Sequence, residues 1–294
     1  MSQTPMTVII VSWNVRELVL QCIAALLQSR QNPEDIIVVD NASQDGSLRS
    51  LKEKYPNITL IANSKNVGFA KAVNQGIRAA KPGHMLLLNP DAIVKIDTLS
   101  KVKQVLEQEE NIGVLGCRLV NEDGTTQESI RAFPQLSDQL LIMLKLHRFF
   151  PRFPALKRYY ASSWNYTQDG EVDQVKGAFF LIHKNAIEQV GLLDEDYFIW
   201  FEEVDYCYRV KKAGLKVFYT SQAEVFHARG ESFRQVLSIT KQRYFIHSMQ
   251  IYFAKHGSRW DTIVLRLARP LSLFLAALAA PLSMLKLKTP TAHD

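Results

Sequence analysis

The sequence predicts an α/β fold, a doubly wound and mostly parallel sheet, followed by a C-terminal helical extension. Three observations carry this expectation. Short β-branched or Leu-rich runs alternate with stretches of helical spacing through the first two thirds of the 294 residues. Polar residues gather just after the apolar runs, at the strand ends where such sheets hold ligands. The last part of the chain turns basic and apolar.

Residues 7–12 (TVIIVS), 36–40 (IIVVD), 58–62 and 85–88 read as strands apolar enough to be buried on both faces. Between them, residues 16–29, 47–55 and 69–80 have helical spacing, with Leu18, Cys22, Ala25 and Leu26 on one stripe. The βαβαβαβ order implies right-handed crossovers and a site at the carboxyl ends of the strands. Those ends carry Ser12 and Asn14, then Asp40 to Ser43, then Asn89 to Asp91. Asp97 is placed to cap a helix running to residue 109, and Asp123-Gly124 signals a hairpin between residues 116–120 and 125–131. Residues 149–160 (FFPRFPALKRYY) read as a loop or short helices. A strand is expected at 178–183, a short helix at 185–190 and a longer helix ending at Gly214. Val217, Tyr219 and Val225 suggest two last strands. Residues 233–255 read as a helix on which Tyr244, Phe245, Tyr252 and Phe253 expose more apolar surface than a solvated helix needs. The expected division is a catalytic domain over residues 1–230 and a basic, apolar helical tail over 231–294.

With 47% hydrophobic and 22% charged residues the chain is globular rather than disordered or fibrous. Cys22, Cys117 and Cys207 form no CxxC pair, which supports neither a disulfide framework nor a cysteine zinc site and fits a reducing compartment. The first residues lack a basic region followed by a long apolar stretch, so no secretory signal is read there. The net charge of +6 is unevenly spread: residues 226–294 hold ten Lys/Arg and three Asp/Glu, a balance of +7, which leaves −1 for residues 1–225. The excess coincides with the uncharged run 270–285 and therefore points to a membrane surface rather than to nucleic acid. As a helix that run spans about 24 Å against about 30 Å of hydrocarbon. Arg266, Arg269, Lys286 and Lys288 flank it and Pro281 interrupts it, which suits a helix lying in an anionic leaflet. A terminal helix docked on the core or on a second copy, and a true span, are the alternatives.

No GxGxxG follows the first strand, and no Walker loop, GxSxG or HExxH occurs, so dehydrogenase, kinase, serine hydrolase and zincin readings lose their usual support. Acidic residues do end two apolar strands, Asp40 in VVDNAS and Asp91 in LLLNPDA. Each alone is equally well a strand-end turn residue.

Taken together, VIIVSWN (8–14), VVDNAS (38–43), NVGFAKAVNQGI (66–77), LLLNPDA (86–92), GAFFLIHK (177–184) and WFEEVDYCYR (200–209) resemble an inverting family 2 glycosyltransferase. The rhamnosyltransferase-like branch also shows a segment similar to DGTTQESIRAFP (123–134). The resemblance covers roughly residues 8–232. It implies the GT-A fold, a nucleotide-diphosphate sugar donor, a divalent metal (Mn²⁺ or Mg²⁺) and a polysaccharide or lipid-linked glycan acceptor. It also implies a peripheral place on the cytoplasmic side of a bacterial-type membrane, and it leaves room for a homo-oligomer.

Carried over residue by residue, Asp40 matches the acid that holds the nucleotide base or ribose, with Ser12, Asn14 and Asn41 on the same strand ends. Asn66, Gly68 and Lys71 match the donor-binding segment, where backbone N–H groups and a cation suit an anion. Asp91 matches the metal-binding aspartate, although the usual Asp-x-Asp is here Asn89-Pro90-Asp91, a single carboxylate with looser hold on the ion. His227 matches a histidine that some relatives use as a further ligand, and an imidazole favours Mn²⁺ over Mg²⁺. Its plain alternative is a strand-end histidine packed on Phe226. Residues 228–232, with Gly230 and Arg229, could close over the donor.

Glu203 occupies the position of the general base and is one methylene longer than the usual aspartate. Glu202 and Asp205 are its rivals, since acids open helices merely for capping and dipole reasons. Arg131 and Gln127 are candidates for substrate binding or hairpin packing, Trp164 and Trp200 for stacking on a sugar or for core, and Cys207 for core. The resemblance thus implies inverting transfer of a sugar, L-rhamnose from a dTDP donor first. A nucleotidyltransferase acting on sugar phosphates and an inactive membrane-bound scaffold of the same fold are the rivals.

Overall fold

The computed structural model of the protein describes residues 4–228 and 238–286, with side chains to residue 278. Four apolar runs become the parallel half of a nine-stranded sheet: β1 (Met6–Ser12), β2 (Ile36–Asp40), β3 (Thr59–Ala62) and β4 (His84–Leu88), in spatial order β3-β2-β1-β4. Helices α1 (Arg16–Gln28), α2 (Ser47–Lys54) and α3 (Phe69–Ala79) form the crossovers. Parallel register sets Ser12 beside Asp40 at the carboxyl end, so the polar strand-end residues share one rim.

The sheet continues as β10-β6-β11-β5, built from β5 (Ala92–Val94), β6 (Ile112–Val120), β10 (Phe179–Ile182) and β11 (Lys216–His227). Strand β10 is antiparallel to both neighbours, and β5 runs antiparallel to the end of β11. Helix α4 (Thr98–Gln108) packs on this half. Short strands β7 (Ile130–Arg131) and β9 (Gln174–Val175) pair with each other in a separate small sheet, and β8 (Gly170–Glu171) pairs with β11. The doubly wound, mostly parallel expectation holds for the first four strands, and the second half is mixed.

Several local expectations change. The third strand is not buried on both faces; β3 is the edge strand, and its outer residues meet solvent. Val217, Tyr219 and Val225 lie on one strand rather than two, with a register shift between Thr220 and Glu224 where Thr220 and Ser221 bond Asp169 instead of the ladder. Asp123-Gly124 does make a turn, closed by Gly124 N–H to the Asn121 carbonyl, but a single bridge Val120–Thr126 follows it, because the chain leaves to pair with β9. Asp97 precedes α4 without capping it; its carboxylate pairs with Lys101 at 2.6 Å.

The region 144–160 holds the short helix α6 (Pro154–Tyr159), after α5 (Leu136–Met143). Helices α7 (Lys184–Val190) and α8 (Glu202–Lys212) follow β10, and α8 stops before Gly214, whose φ of +79° suits a glycine.

The chain closes with α9 (Ser238–His256) and α10 (Arg259–Lys286). The aromatic residues of α9 are not left exposed. Tyr252 and Phe253 are buried with Phe201, Met143 and Leu265 in a cluster that joins the two helices to α5 and α8, and Tyr244 stacks on Phe198 at 4.8 Å. The sheet has a core on each face, one under α1 and α4 and one under α3 and α8. Among the described residues no helix is long and apolar enough to cross a membrane. The expected closing loop at 229–232 lies outside the described residues.

Candidate active site

At the carboxyl rim of the sheet lies a cavity of about 410 Å³. Separate segments supply its polar lining: Asn41 after β2, Asn66 and Gly68 before α3, Asn89 and Asp91 after β4, Glu202 and Glu203 at the start of α8, and His227 at the end of β11. The rim forms because parallel strands end together and β5, antiparallel to β11, starts at the same edge beside the end of β11.

Asp91 and His227 meet through sheet register. Ala92 pairs with His227 across β5 and β11, and the Asp91 carbonyl accepts the Ala228 N–H, so the two side chains face one another with His227 Nε2 3.5 Å from Asp91 Oδ1. Both are buried. The other ring nitrogen, Nδ1, is 3.0 Å from Gln127 Oε1, while Gln127 Nε2 donates to the His227 carbonyl at 2.6 Å. An amide oxygen accepts, so this contact makes Nδ1 a donor and holds the ring with Nε2 facing Asp91. Gln127 is fully buried, and orienting His227 is its work in this structure. Among the described residues no group of three or more His, Cys, Asp or Glu side chains could hold a metal ion. The pair nevertheless fits a hard or borderline divalent ion that takes its remaining ligands from phosphate oxygens and water.

The acidic pair sits on a strained turn. Trp200 and Phe201 have φ of +62° and +68°, the left-handed region that costs a side-chain-bearing residue about 1–2 kcal/mol. The conformation is over-determined from outside: the Phe201 ring packs between Phe245 and Tyr252 of α9, Ser248 donates to the Ile199 carbonyl at 2.7 Å, and Phe69 N–H donates to the Phe198 carbonyl at 2.7 Å. The outcome is two carboxyls entering one apolar-walled cavity. Glu202 Oε2 and Glu203 Oε2 are buried without hydrogen-bond partners. Burial, then the neighbouring Glu203 charge, pushes Glu202 well above the usual carboxylate range; burial also raises Glu203, against backbone N–H groups that lower it. Both acids therefore hold their protons to higher pH than free carboxylates do, Glu202 more strongly.

Asp205 is not part of this cavity. Its carboxylate is enclosed by His256 at 2.6 Å and Arg209 at 2.7 Å. Burial would raise its pKa, yet these hydrogen bonds and charges hold it below the usual value, as befits a structural carboxylate that pairs with Arg209 within α8 and ties that helix to α9 through His256.

On the donor side Asn41 organises the loop: its Nδ2 donates to Asn66 Oδ1 and the Gly68 carbonyl, and its Oδ1 accepts Val67 N–H. Asp40 is buried just behind; Oδ2 accepts Ser43 N–H, while Oδ1 and the adjacent Ser12 Oγ have no partner. Two orphaned polar atoms at one strand end are what a ligand's hydrogen-bonding groups would satisfy. Ser12 and Asp40 are buried and, like Asn14 and Lys71, fall outside the cavity lining. Asn14, at φ +53°, accepts Gln44 N–H, and Lys71 is exposed beside Glu195 and Asp196. Arg131 lies over the Tyr160 ring, and Trp164 packs against Tyr219 away from the cavity, whereas Trp200 lines it. Cys207 is buried core. Sequence reasoning did not single out Trp13 and Lys176, which also line the cavity. The available signal was position: Trp13 lies within VIIVSWN and Lys176 directly precedes GAFFLIHK.

Residues 7–171 match the family model described as Glycosyl transferase family 2. The chain is 28% identical over 223 residues, 71% of either protein, to an N-acetylglucosaminyl-diphospho-decaprenol L-rhamnosyltransferase of Mycobacterium tuberculosis. It is 27% identical over 201 residues to the Rhamnosyltransferase WbbL of Escherichia coli, covering 65% of this chain and 72% of that one. Its fold aligns with the crystal structure of GalNAc-T7 with UDP, GalNAc and Mn2+ at a TM-score of 0.60 and 15% identity, over 85% of this chain. The aligned part spans only 48% of that protein. The fold is GT-A with added C-terminal helices. The family match ends before Glu202, Glu203 and His227, so their place at the rim rests on the geometry above.

Proposed function

The chain belongs to glycosyl transferase family 2, and from that premise we propose that this glycosyltransferase moves L-rhamnose, with inversion, from a dTDP donor to a lipid-linked glycan. The observation that carries the reading is the convergence of Asp91, His227 and the buried Glu202–Glu203 pair in one cavity beside the Asn41–Gly68 loop. The rhamnosyltransferases among its relatives support the sugar, and one relative's diphospho-decaprenol acceptor supports the lipid link.

In this reading residues 1–230 form the catalytic domain. Asp40 Oδ1 and Ser12 Oγ accept and donate hydrogen bonds to the nucleoside, and the Asn66–Gly68 loop lies along the diphosphate. Asp91 and His227 Nε2 would hold a divalent ion, Mn²⁺ being favoured by the imidazole; when bound, such an ion neutralises the charge of the departing nucleoside diphosphate. Ionised Glu203 takes the proton of an acceptor hydroxyl as that oxygen bonds to the anomeric carbon and the carbon–oxygen bond to the diphosphate breaks on the opposite face. Glu202, held protonated by burial and by its neighbour, keeps a second negative charge away from the attacking oxygen. Helices α9 and α10 brace the turn that aims the pair, and the basic, apolar tail, residues 231–294, attaches the enzyme peripherally to the cytoplasmic leaflet where a lipid-linked acceptor resides.

The test is a donor panel of dTDP-, UDP- and GDP-sugars with and without Mn²⁺, read as nucleoside diphosphate released. Release from dTDP-rhamnose above all others is expected. Pyrophosphate as product would replace this reading with a nucleotidyltransferase, and donor binding without any release would replace it with an inactive scaffold.

A further inference from the structure

Among the described residues, two surface elements carry all but one of the exposed large apolar side chains. The first is α10. Its inward face buries Leu265, Ser272 and Ala276. At about 100° per residue the opposite face carries Trp260, Ile263, Leu267, Leu271, Phe274 and Leu278, all exposed, with Trp260 and Leu267 at 75%. The second is the segment between α5 and α6, where Phe149 is 76% exposed and Leu146, Phe150 and Phe153 are exposed with it. Among the described residues, every exposed large apolar side chain except Ile96 lies on one of these two elements.

They are neighbours. Ser272 of α10 donates to the Met143 carbonyl at the end of α5 at 2.8 Å, and Gln242 of α9 bonds both Ser272 and Lys145. The aromatic segment begins one residue after Lys145. Its charge is of one sign: residues 144–160 contain five Lys/Arg and no Asp/Glu, and residues 259–278 contain Arg259, Arg266 and Arg269 against Asp261 alone. Among the described residues, no carboxylate pairs with Arg148, Arg152, Arg266 or Arg269, and all four are exposed.

The geometry points to a composite docking face, in which the loop 146–153 inserts its three phenylalanines beside the outward stripe of α10 into an anionic lipid bilayer. This inference rests on the membrane attachment proposed above and adds a second anchor outside the tail. Charge selects the occupant. Apolar side chains interspersed with exposed arginines suit acyl chains under anionic headgroups. A two-fold pairing of copies would bring the same arginines against one another. The face also relates the bilayer to the chemistry. Helix α9 lies between, packing on α10 and bracing Phe198 and Ile199, whose residues line the catalytic cavity. A lipid-linked acceptor would thus meet the cavity one helix layer from the membrane.

The experiment is flotation of the full chain with vesicles of phosphatidylcholine alone or mixed with phosphatidylglycerol. Wild-type protein is expected to float with the mixed vesicles and to be released by salt. Replacing Phe149, Phe150 and Phe153 together by Ser, or Leu267, Leu271 and Phe274 together by Ser, should each weaken binding by roughly tenfold or more. These side chains are exposed, so the melting midpoint should hold in both variants and separates lost docking from lost fold. Loop variants that float as wild type overturn the second anchor. Equal binding to both vesicle types overturns the charge argument. A wild-type dimer in sedimentation that the α10 variant splits, with no flotation, assigns the face to a second copy and overturns the proposal. Vesicle binding by a protein that turns over no nucleotide sugar would defeat the enzymatic reading while upholding this face.

Discussion

Gly68 joins the donor loop to the turn that aims the acidic pair, and replacing it by Ala tests that junction. The residue has φ +90° and ψ 166°, a conformation essentially restricted to glycine and costing about 1–3 kcal/mol for any other residue. A Cβ there would stand 2.7 Å from the Phe198 carbonyl oxygen and 3.1 Å from its Cα, both backbone atoms that no rotamer change can clear. Relief requires the Phe198 turn to back away, giving up the 2.7 Å bond from Phe69 N–H, worth about 0.5–1.5 kcal/mol.

The combined loss is about 1.5–4.5 kcal/mol, which a domain of ordinary stability, about 5–15 kcal/mol, survives. The displaced turn carries Glu202 and Glu203, and a shift of about 1 Å at a reacting group costs about 10²-fold in rate. The assay pairs denaturant unfolding with nucleoside diphosphate release, and Gly214→Ala serves as control. Gly214 also has positive φ, +79°, but nothing lies within 4 Å of its Cβ position, so it should lose stability through strain alone and keep its turnover. If Gly68→Ala were no less stable than Gly214→Ala and turned over like wild type, the proposed junction between donor loop and catalytic turn would be wrong.

Glu203→Gln should lower turnover by roughly 10²- to 10⁴-fold while calorimetry finds donor binding intact; surviving turnover would move the base elsewhere. The base works ionised, and Glu203 sits above its ordinary range, so the rate should rise with pH along a limb displaced to higher pH than a free carboxylate gives. Glu202 binds its proton more tightly folded than unfolded, so its contribution to stability is full below the unfolded value and fades as pH rises through the folded one. Glu202→Gln should flatten that decline, read as melting midpoints from about pH 5 to 9. Gln127→Ala releases the His227 ring and should raise the Mn²⁺ concentration for half-maximal turnover by about 10- to 100-fold; an unchanged metal dependence would remove His227 from the ion's surroundings.

Much of this site was written in local pattern. The first four strands, the helices between them and the polar residues at their ends follow from β-branched runs and helical spacing, which are properties of short windows. So does the cavity's donor side, since parallel strands of matched length must end together. The resemblance carried Glu203, Asp91 and His227 to their candidate roles without any knowledge of distance. What local pattern could not express was partnership across the chain. Asp205 and Glu203 are two residues apart and look alike in sequence, yet only Glu203 faces the cavity, because His256, 51 residues on, encloses Asp205 with Arg209. Gln127 read equally as a substrate-binding or a hairpin-packing residue, and its partner His227 lies 100 residues further along the chain, at the end of β11.

The aromatic residues of α9 looked exposed for the same reason: the surfaces that cover them, Phe198 and Phe201, belong to a distant turn. The sequence by itself determined an α/β sheet with an acidic rim and a basic, apolar tail, since composition and periodicity are fixed residue by residue. Which carboxylate is buried bare and which is paired was decided only by tertiary structure, because desolvation and ion pairing depend on what the rest of the chain places within a few ångströms.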